Sequence, residues 1–141
     1  MSDTVTQNDE SAKRGTRKRI LISDPEPFIR DTLRIKLASK GYNVIPVDSG
    51  RDTLRMAVRN DPSLILMEID YKDVDGLRIC QMLKGHTKTA GIPIVILTEL
   101  RDTPENKFMY SSYVEEFISK PFSPREVARV VDNIVKGRNK K

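Results

Sequence analysis

Short apolar runs, each ending on a polar residue, set the rhythm of this chain. Ile20-Leu21-Ile22 leads into Ser23-Asp24-Pro25-Glu26, and Leu64-Ile65-Leu66-Met67 leads into Glu68. Ile94-Val95-Ile96-Leu97 leads into Thr98, and Phe117-Ile118-Ser119 leads into Lys120-Pro121. Tyr42 to Val47 is a further strand candidate. The 64–69 run is almost continuously apolar, as a central strand covered on both faces would be.

Between these runs the spacing is helical. Pro27 suits a first helical turn, and Ile29, Leu33 and Leu37 then fall on one stripe that Gly41 ends. Ser49 is an N-cap candidate for a helix with Leu54, Ala57 and Val58 inward, closed by Asn60-Asp61-Pro62. Leu77, Cys80, Met82 and Leu83 mark a third helix, stopped by Gly85, with loop to Gly91. Thr103-Pro104-Glu105 opens a fourth, whose Phe108, Met109, Tyr110 and Tyr113 form only a loose pattern. Ser123-Pro124-Arg125-Glu126 reads as a capping box with proline at N1, and Val127, Val130, Val131 and Ile134 follow as the buried face. Strands alternating with helices predict a doubly wound α/β sheet.

Composition narrows the class. At 141 residues, 38% hydrophobic and 32% charged, the chain reads as one globular domain. No apolar run is long enough to cross a bilayer, and the polar opening does not resemble a signal peptide. A single cysteine excludes an intramolecular disulfide, which fits a cytoplasmic protein. The formal charge of +5 is uneven. Residues 1–19 hold five basic and three acidic side chains, and residues 136–141 add Lys136, Arg138, Lys140 and Lys141, so residues 20–135 are left at −1. Basicity confined to the tails is that of solvated ends, and nucleic acid is not the expected partner. A nucleic-acid accessory role through those tails is the reading from another class. Residues 1–17 are expected to be a disordered polar tail, 18–136 the domain and 137–141 a basic tail.

The first strand runs into Asp24-Pro25-Glu26-Pro27 without a glycine, so no phosphate-cradling nucleotide loop follows it. In open parallel sheets, ligands sit beyond the carboxyl ends of the strands. Asp24, Glu68, Thr98 and Lys120 all arrive there. That order of acid, acid, hydroxyl and ammonium, with Asp75-Gly76 closing the loop after Glu68, resembles the receiver domain of two-component response regulators.

The resemblance covers roughly residues 18 to 136. It implies a flavodoxin-like receiver fold with strand order 2-1-3-4-5. It also implies a phosphoacceptor at position 68, a phosphoryl-gripping hydroxyl and lysine at Thr98 and Lys120, a cis Lys120-Pro121 peptide bond and a switch aromatic at Phe117. Two positions depart from the pattern. The acceptor is glutamate instead of aspartate, and the second of the paired metal-binding acids is Pro25. Magnesium wants oxygen ligands, and proline supplies none. Asp24 is at most the one metal acid left, Glu26 points elsewhere, and magnesium binding is expected to be weak or absent, with no other cofactor. Glutamate moves the acceptor oxygen outward by one methylene, and a misplacement of about 1 Å can cost a hundredfold in rate.

With the sequence ending six residues after Val135, the expectation is a stand-alone receiver of phosphorelay signalling, and the two departures make it a degenerate one, acting as a protein-interaction module and not as an enzyme. A Glu68–Lys120 ion pair, with Thr98 donating to the same carboxylate, would imitate the phosphorylated state. The expected partner is another signalling protein (a histidine kinase, a regulator or an output protein), met through the last two helices and the strand between them. The alternative is a working acceptor at Glu68 or at Asp70. His86 is expected to be exposed and Cys80 to be core.

Overall fold

The computed structural model describes residues 17–101 and 103–139. Of the predicted tail at 1–17, residues 1–16 lie outside them, as do the last two residues. The elements run in strict alternation: β1 (Arg19–Ser23), α1 (Pro27–Ser39), β2 (Asn43–Val47), α2 (Gly50–Asn60), β3 (Leu64–Met67), α3 (Gly76–Gly85), β4 (Ile94–Thr98), α4 (Pro104–Tyr110), β5 (Glu116–Ser119) and α5 (Pro124–Asn139). The strands form one sheet in the order β2-β1-β3-β4-β5, and every neighbouring pair is parallel. α5 continues to Asn139, past the predicted boundary at 136.

Strand alternation sorts the core into two layers. Ile20, Ile22, Leu64, Leu66, Val95 and Leu97 face α1 and α5, against Leu33, Leu37, Val127 and Val131. Leu21, Ile65, Met67, Ile94 and Ile96 face the other side, against Ala57, Ile79, Cys80 and Leu83. Burying both faces explains why these strands read as unbroken apolar runs.

Local signals act where the sequence puts them. The Ser49 and Thr103 side chains accept from Asp52 N and Asn106 N, and Ser123 Oγ accepts from Glu126 N at 3.4 Å. Asp61 holds a left-handed C-cap at φ 46°, and Gly41 sits at φ +95°, where a side chain would be strained. Some expectations fail. Met82 is exposed, and Ile79 takes the core position on α3. Phe108 and Met109 point to solvent, and only Tyr110 of that group is buried. β3 ends at Met67, short of the apolar run's end at 69.

Candidate functional site

Register places the site. Ser23 pairs with Met67, so the next residues on each strand, Asp24 and Glu68, stand side by side. The Glu68 amide still donates to Ser23 O at 3.0 Å, and the Asp24 amide to Val47 O at 3.1 Å. On the other flank Thr98 pairs with Ser119, and the Lys120 amide donates to Thr98 O at 2.7 Å. The crevice between β1 and β3 is where the strand order reverses, the usual place for a ligand in such sheets.

Lys120 joins the two acids. Its Nζ donates to Asp24 Oδ2 at 2.9 Å and to Glu68 Oε1 at 2.8 Å, with all three side chains at least nine-tenths buried. The remaining carboxylate oxygens are also engaged. Asp24 Oδ1 accepts from the Glu26 amide at 2.9 Å, and Glu68 Oε2 accepts from the Ile69 and Asp70 amides at 2.8 and 3.2 Å. Arg30 Nη1 holds the Asp24 carbonyl at 2.7 Å.

Burial pushes the Asp24 carboxyl above its usual range, against the opposing pull of Lys120 and the Glu26 amide. For Lys120, burial works downward, but the hydrogen bonds to Glu68 and Asp24 outweigh it and raise the ammonium above its ordinary value.

The predicted Glu68–Lys120 contact is thus formed, with Asp24 as a second partner that the sequence reading did not name. The expected Thr98 donation to Glu68 is not made. Thr98 is buried, and its Oγ1 accepts from the Leu100 amide at 3.3 Å. It is held at the strand end by the turn that follows.

Pro25 and Asp70 are exposed at the rim of an open cleft of about 530 Å³. Asp70 reaches Glu68 through its backbone only. Glu26 is exposed and precedes α1 without capping it. Phe117 is buried, its ring 6.1 Å from that of Tyr110. The Lys120-Pro121 peptide is cis. His86 is exposed, and Cys80 is in the core.

The donor set fits magnesium poorly. Pro25 brings no oxygen, and each oxygen of Asp24 and Glu68 already has an N–H donor. Among the described residues no group of three or more His, Cys, Asp or Glu side chains is placed to hold a metal.

Beneath the site lies a cluster that sequence reasoning missed. Ser23 Oγ is 2.5 Å from Thr53 Oγ1 and 2.6 Å from the Tyr71 hydroxyl, and all three residues are buried. Its only trace in the sequence is a serine closing an otherwise apolar strand.

This fold and this end-of-strand constellation define a class. The chain belongs to the response regulator receiver domain family, whose sequence model matches residues 20–132. It is 35% identical over 113 residues to the DNA-binding dual master transcriptional regulator RpaA of Synechocystis sp. (strain ATCC 27184 / PCC 6803 / Kazusa), covering 79% of this chain and 47% of that protein. It is 31% identical over 115 residues to the DNA-binding response regulator MtrA of Mycolicibacterium smegmatis, covering 81% and 49% respectively. The chain therefore spans about half the length of these relatives. In fold it is similar to the chemotaxis response regulator CheY4 of Vibrio cholerae, with a TM-score of 0.79 at 22% identity over 84% of this chain and 99% of that one. No helix among the described residues is long and apolar enough to cross a membrane.

Proposed function

We propose that this receiver domain acts in two-component signalling as a protein-interaction module whose site is set by its own charges and not by phosphoryl transfer. The observation that carries the reading is the Lys120 ammonium shared between the Asp24 and Glu68 carboxylates. Transfer to a carboxylate needs an acceptor oxygen in line with the donor, and positive charge to take up what develops on the phosphoryl oxygens. Here both Glu68 oxygens are hydrogen-bonded, and Lys120 is already spoken for. Glu68 Oε2 on two backbone amides and Oε1 on the lysine make an internal anion in place of an added one. The inward Phe117 agrees with that imitation, and Thr98, which accepts from the Leu100 amide and makes no bond to Glu68, departs from it.

The partner is another signalling protein, a kinase, regulator or output protein, met on the face of α4, β5 and α5. On that face α4 leaves Phe108 and Met109 in solvent at 80% and 52% exposure.

Incubation with acetyl phosphate, or with beryllofluoride and magnesium, read by intact mass and amide NMR, tests the proposal. The expected result is no adduct and no shift at Thr98, Phe117 or Lys120. The double variant Pro25→Asp/Glu68→Asp restores the acid pair and the shorter acceptor, and is expected to gain a magnesium-dependent beryllofluoride response. An adduct on Glu68 or Asp70 of the unaltered protein would establish the working-acceptor alternative and overturn the reading.

A further inference from the structure

The loop from Glu68 to Asp75 is fastened along most of its length, and the fastenings run to α2. At its far end, the Gly76 amide donates to Ile69 O at 3.1 Å. A Cβ on Gly76 would lie 2.4 Å from Ile69 Cα, so the loop closes on itself only with glycine there. In its middle, the Tyr71 side chain turns inward, and its hydroxyl joins the buried Ser23–Thr53 pair. Thr53 Oγ1 in turn donates to Ser49 O at 2.7 Å, on the N-cap residue of α2. Two residues on, the Asp73 carboxylate accepts from the Gly50 and Arg51 amides, each at 3.0 Å. These are first-turn amides of α2 with no partner inside the helix. A Cβ on Gly50 would sit 3.2 Å from Asp73 Oδ1 and 3.3 Å from Val74 Cβ, a tight contact that the loop would have to ease by a few tenths of an ångström.

The same loop carries the Ile69 and Asp70 amides that hold Glu68 Oε2. Those amides lie between the strand end and the Tyr71 anchor.

We propose that Tyr71 and Asp73 are positioning residues that latch the loop after β3 onto α2, and so keep the Ile69 and Asp70 amides aimed at the position-68 carboxylate. The Asp73 carboxyl lies below its ordinary range, mainly through the Arg51 amide and further through that of Gly50, as expected of a carboxylate held charged by the latch. Tyr71 serves by its hydroxyl, since burial pushes that group far above its ordinary range and keeps it a neutral donor. The latch stands whether or not Glu68 accepts a phosphoryl group. Its test does not involve phosphorylation, so failure here and failure of the functional reading are distinguishable.

The experiment is residue-resolved hydrogen exchange and amide chemical shift on the full chain, for wild type, Tyr71→Phe, Asp73→Asn and Thr53→Ser. Tyr71→Phe keeps the ring and removes the hydroxyl. It is expected to speed exchange at the Ile69 and Asp70 amides by about tenfold, the scale of one buried hydrogen bond, and to move both proton shifts upfield. Asp73→Asn lies on an exposed side chain and leaves the core intact. It leaves one acceptor oxygen where the carboxylate had two, and is expected to free one of the Gly50 and Arg51 amides and to speed Ile69 and Asp70 in the same direction. Thr53→Ser keeps the hydroxyl and is expected to leave all four amides unmoved. Rates at Ile69 and Asp70 within roughly twofold of wild type in both latch variants would overturn the proposal. So would a rise spread equally over β4, because that reports general destabilisation instead of a released loop. If Tyr71→Phe does not fold, Asp73→Asn alone decides the outcome by the same readings.

Discussion

Replacing Lys120 with methionine isolates the electrostatics of the site. The change keeps most of the side-chain volume and removes the ammonium that joins Asp24 and Glu68 at 2.9 and 2.8 Å. Two buried carboxylates are then left facing each other without a counter-charge. Breaking a buried pair by removing one partner costs about 3–5 kcal/mol. The cleft opens to water on one side, and the backbone amides on Glu68 and Asp24 remain, so the expected loss is at the low end, about 3 kcal/mol. That is a large share of the roughly 5–15 kcal/mol that holds a domain of this size.

The assay is urea unfolding followed by far-ultraviolet circular dichroism, since the chain has no tryptophan. The triple variant Asp24→Asn/Glu68→Gln/Lys120→Met neutralises the whole cluster and is expected to recover most of the loss. The pH dependence has a definite sign. Burial already raises Asp24 in the native protein, and loss of the ammonium raises it further. An acid whose folded value exceeds its unfolded value of about 4 weakens the protein only when it must be charged. The deficit of Lys120→Met should therefore shrink as pH falls through the raised Asp24 value toward pH of about 4. In the native protein Lys120 is raised instead, so its stabilisation persists at neutral pH and fades only as pH climbs through that raised value, beyond 10.5. A loss below about 1 kcal/mol, or a deficit that does not change between neutral and acid pH, would refute the shared-ammonium account.

Two further outcomes follow from packing. Gly76→Ala would drive a Cβ into the Ile69 backbone at 2.4 Å, with no flexible side chain to give way. A loss of about 2 kcal/mol or more in urea is expected, together with a shifted Ile69 amide; an unshifted amide would contradict the closeness of the approach. Cys80 is fully buried, and burial pushes its thiol up to about 12. Its modification by a thiol reagent should run at the rate of global opening and slow as stability rises, whereas rapid labelling of the native protein would place it outside the core.

Much of the fold was legible because strand and helix periods are local properties. Ile20, Leu64 and Ile94 announced their strands in runs of a few residues, and Ile29, Leu33 and Leu37 announced the inner face of α1. The end-of-strand positions of Asp24, Glu68, Thr98 and Lys120 follow from those runs, so the membership of the site was readable. Its bonding was not. Which way Lys120 divides itself between two acids depends on distances across 52 and 96 residues of chain. Thr98 Oγ1 accepts from the amide two residues on and makes no bond to Glu68, a matter of local geometry that strand patterning does not encode. Ile79 was passed over for Met82 because both suit a helix face until the loop before them fixes its rotation. The contact of Tyr71 with Ser23 and Thr53 joins three separate segments by single hydroxyls, and no period links them.

The two rims of the sheet differ in a way that bears on self-association. On β2, Asn43 donates its amide to Lys18 O, and Val47 offers its carbonyl to Asp24 N, so odd-numbered residues bond β1 and even-numbered ones face outward. Pro46 is one of the outward residues, exposed on an edge strand and lacking the N–H that an incoming strand would take up. The proline takes nothing from the existing ladder and blunts that rim against accretion of foreign strands. β5, with Glu116, Phe117, Ile118 and Ser119, has no such guard in its backbone. The backbone obstacle to lateral growth therefore stands on the β2 rim, and the rim formed by β5 carries none.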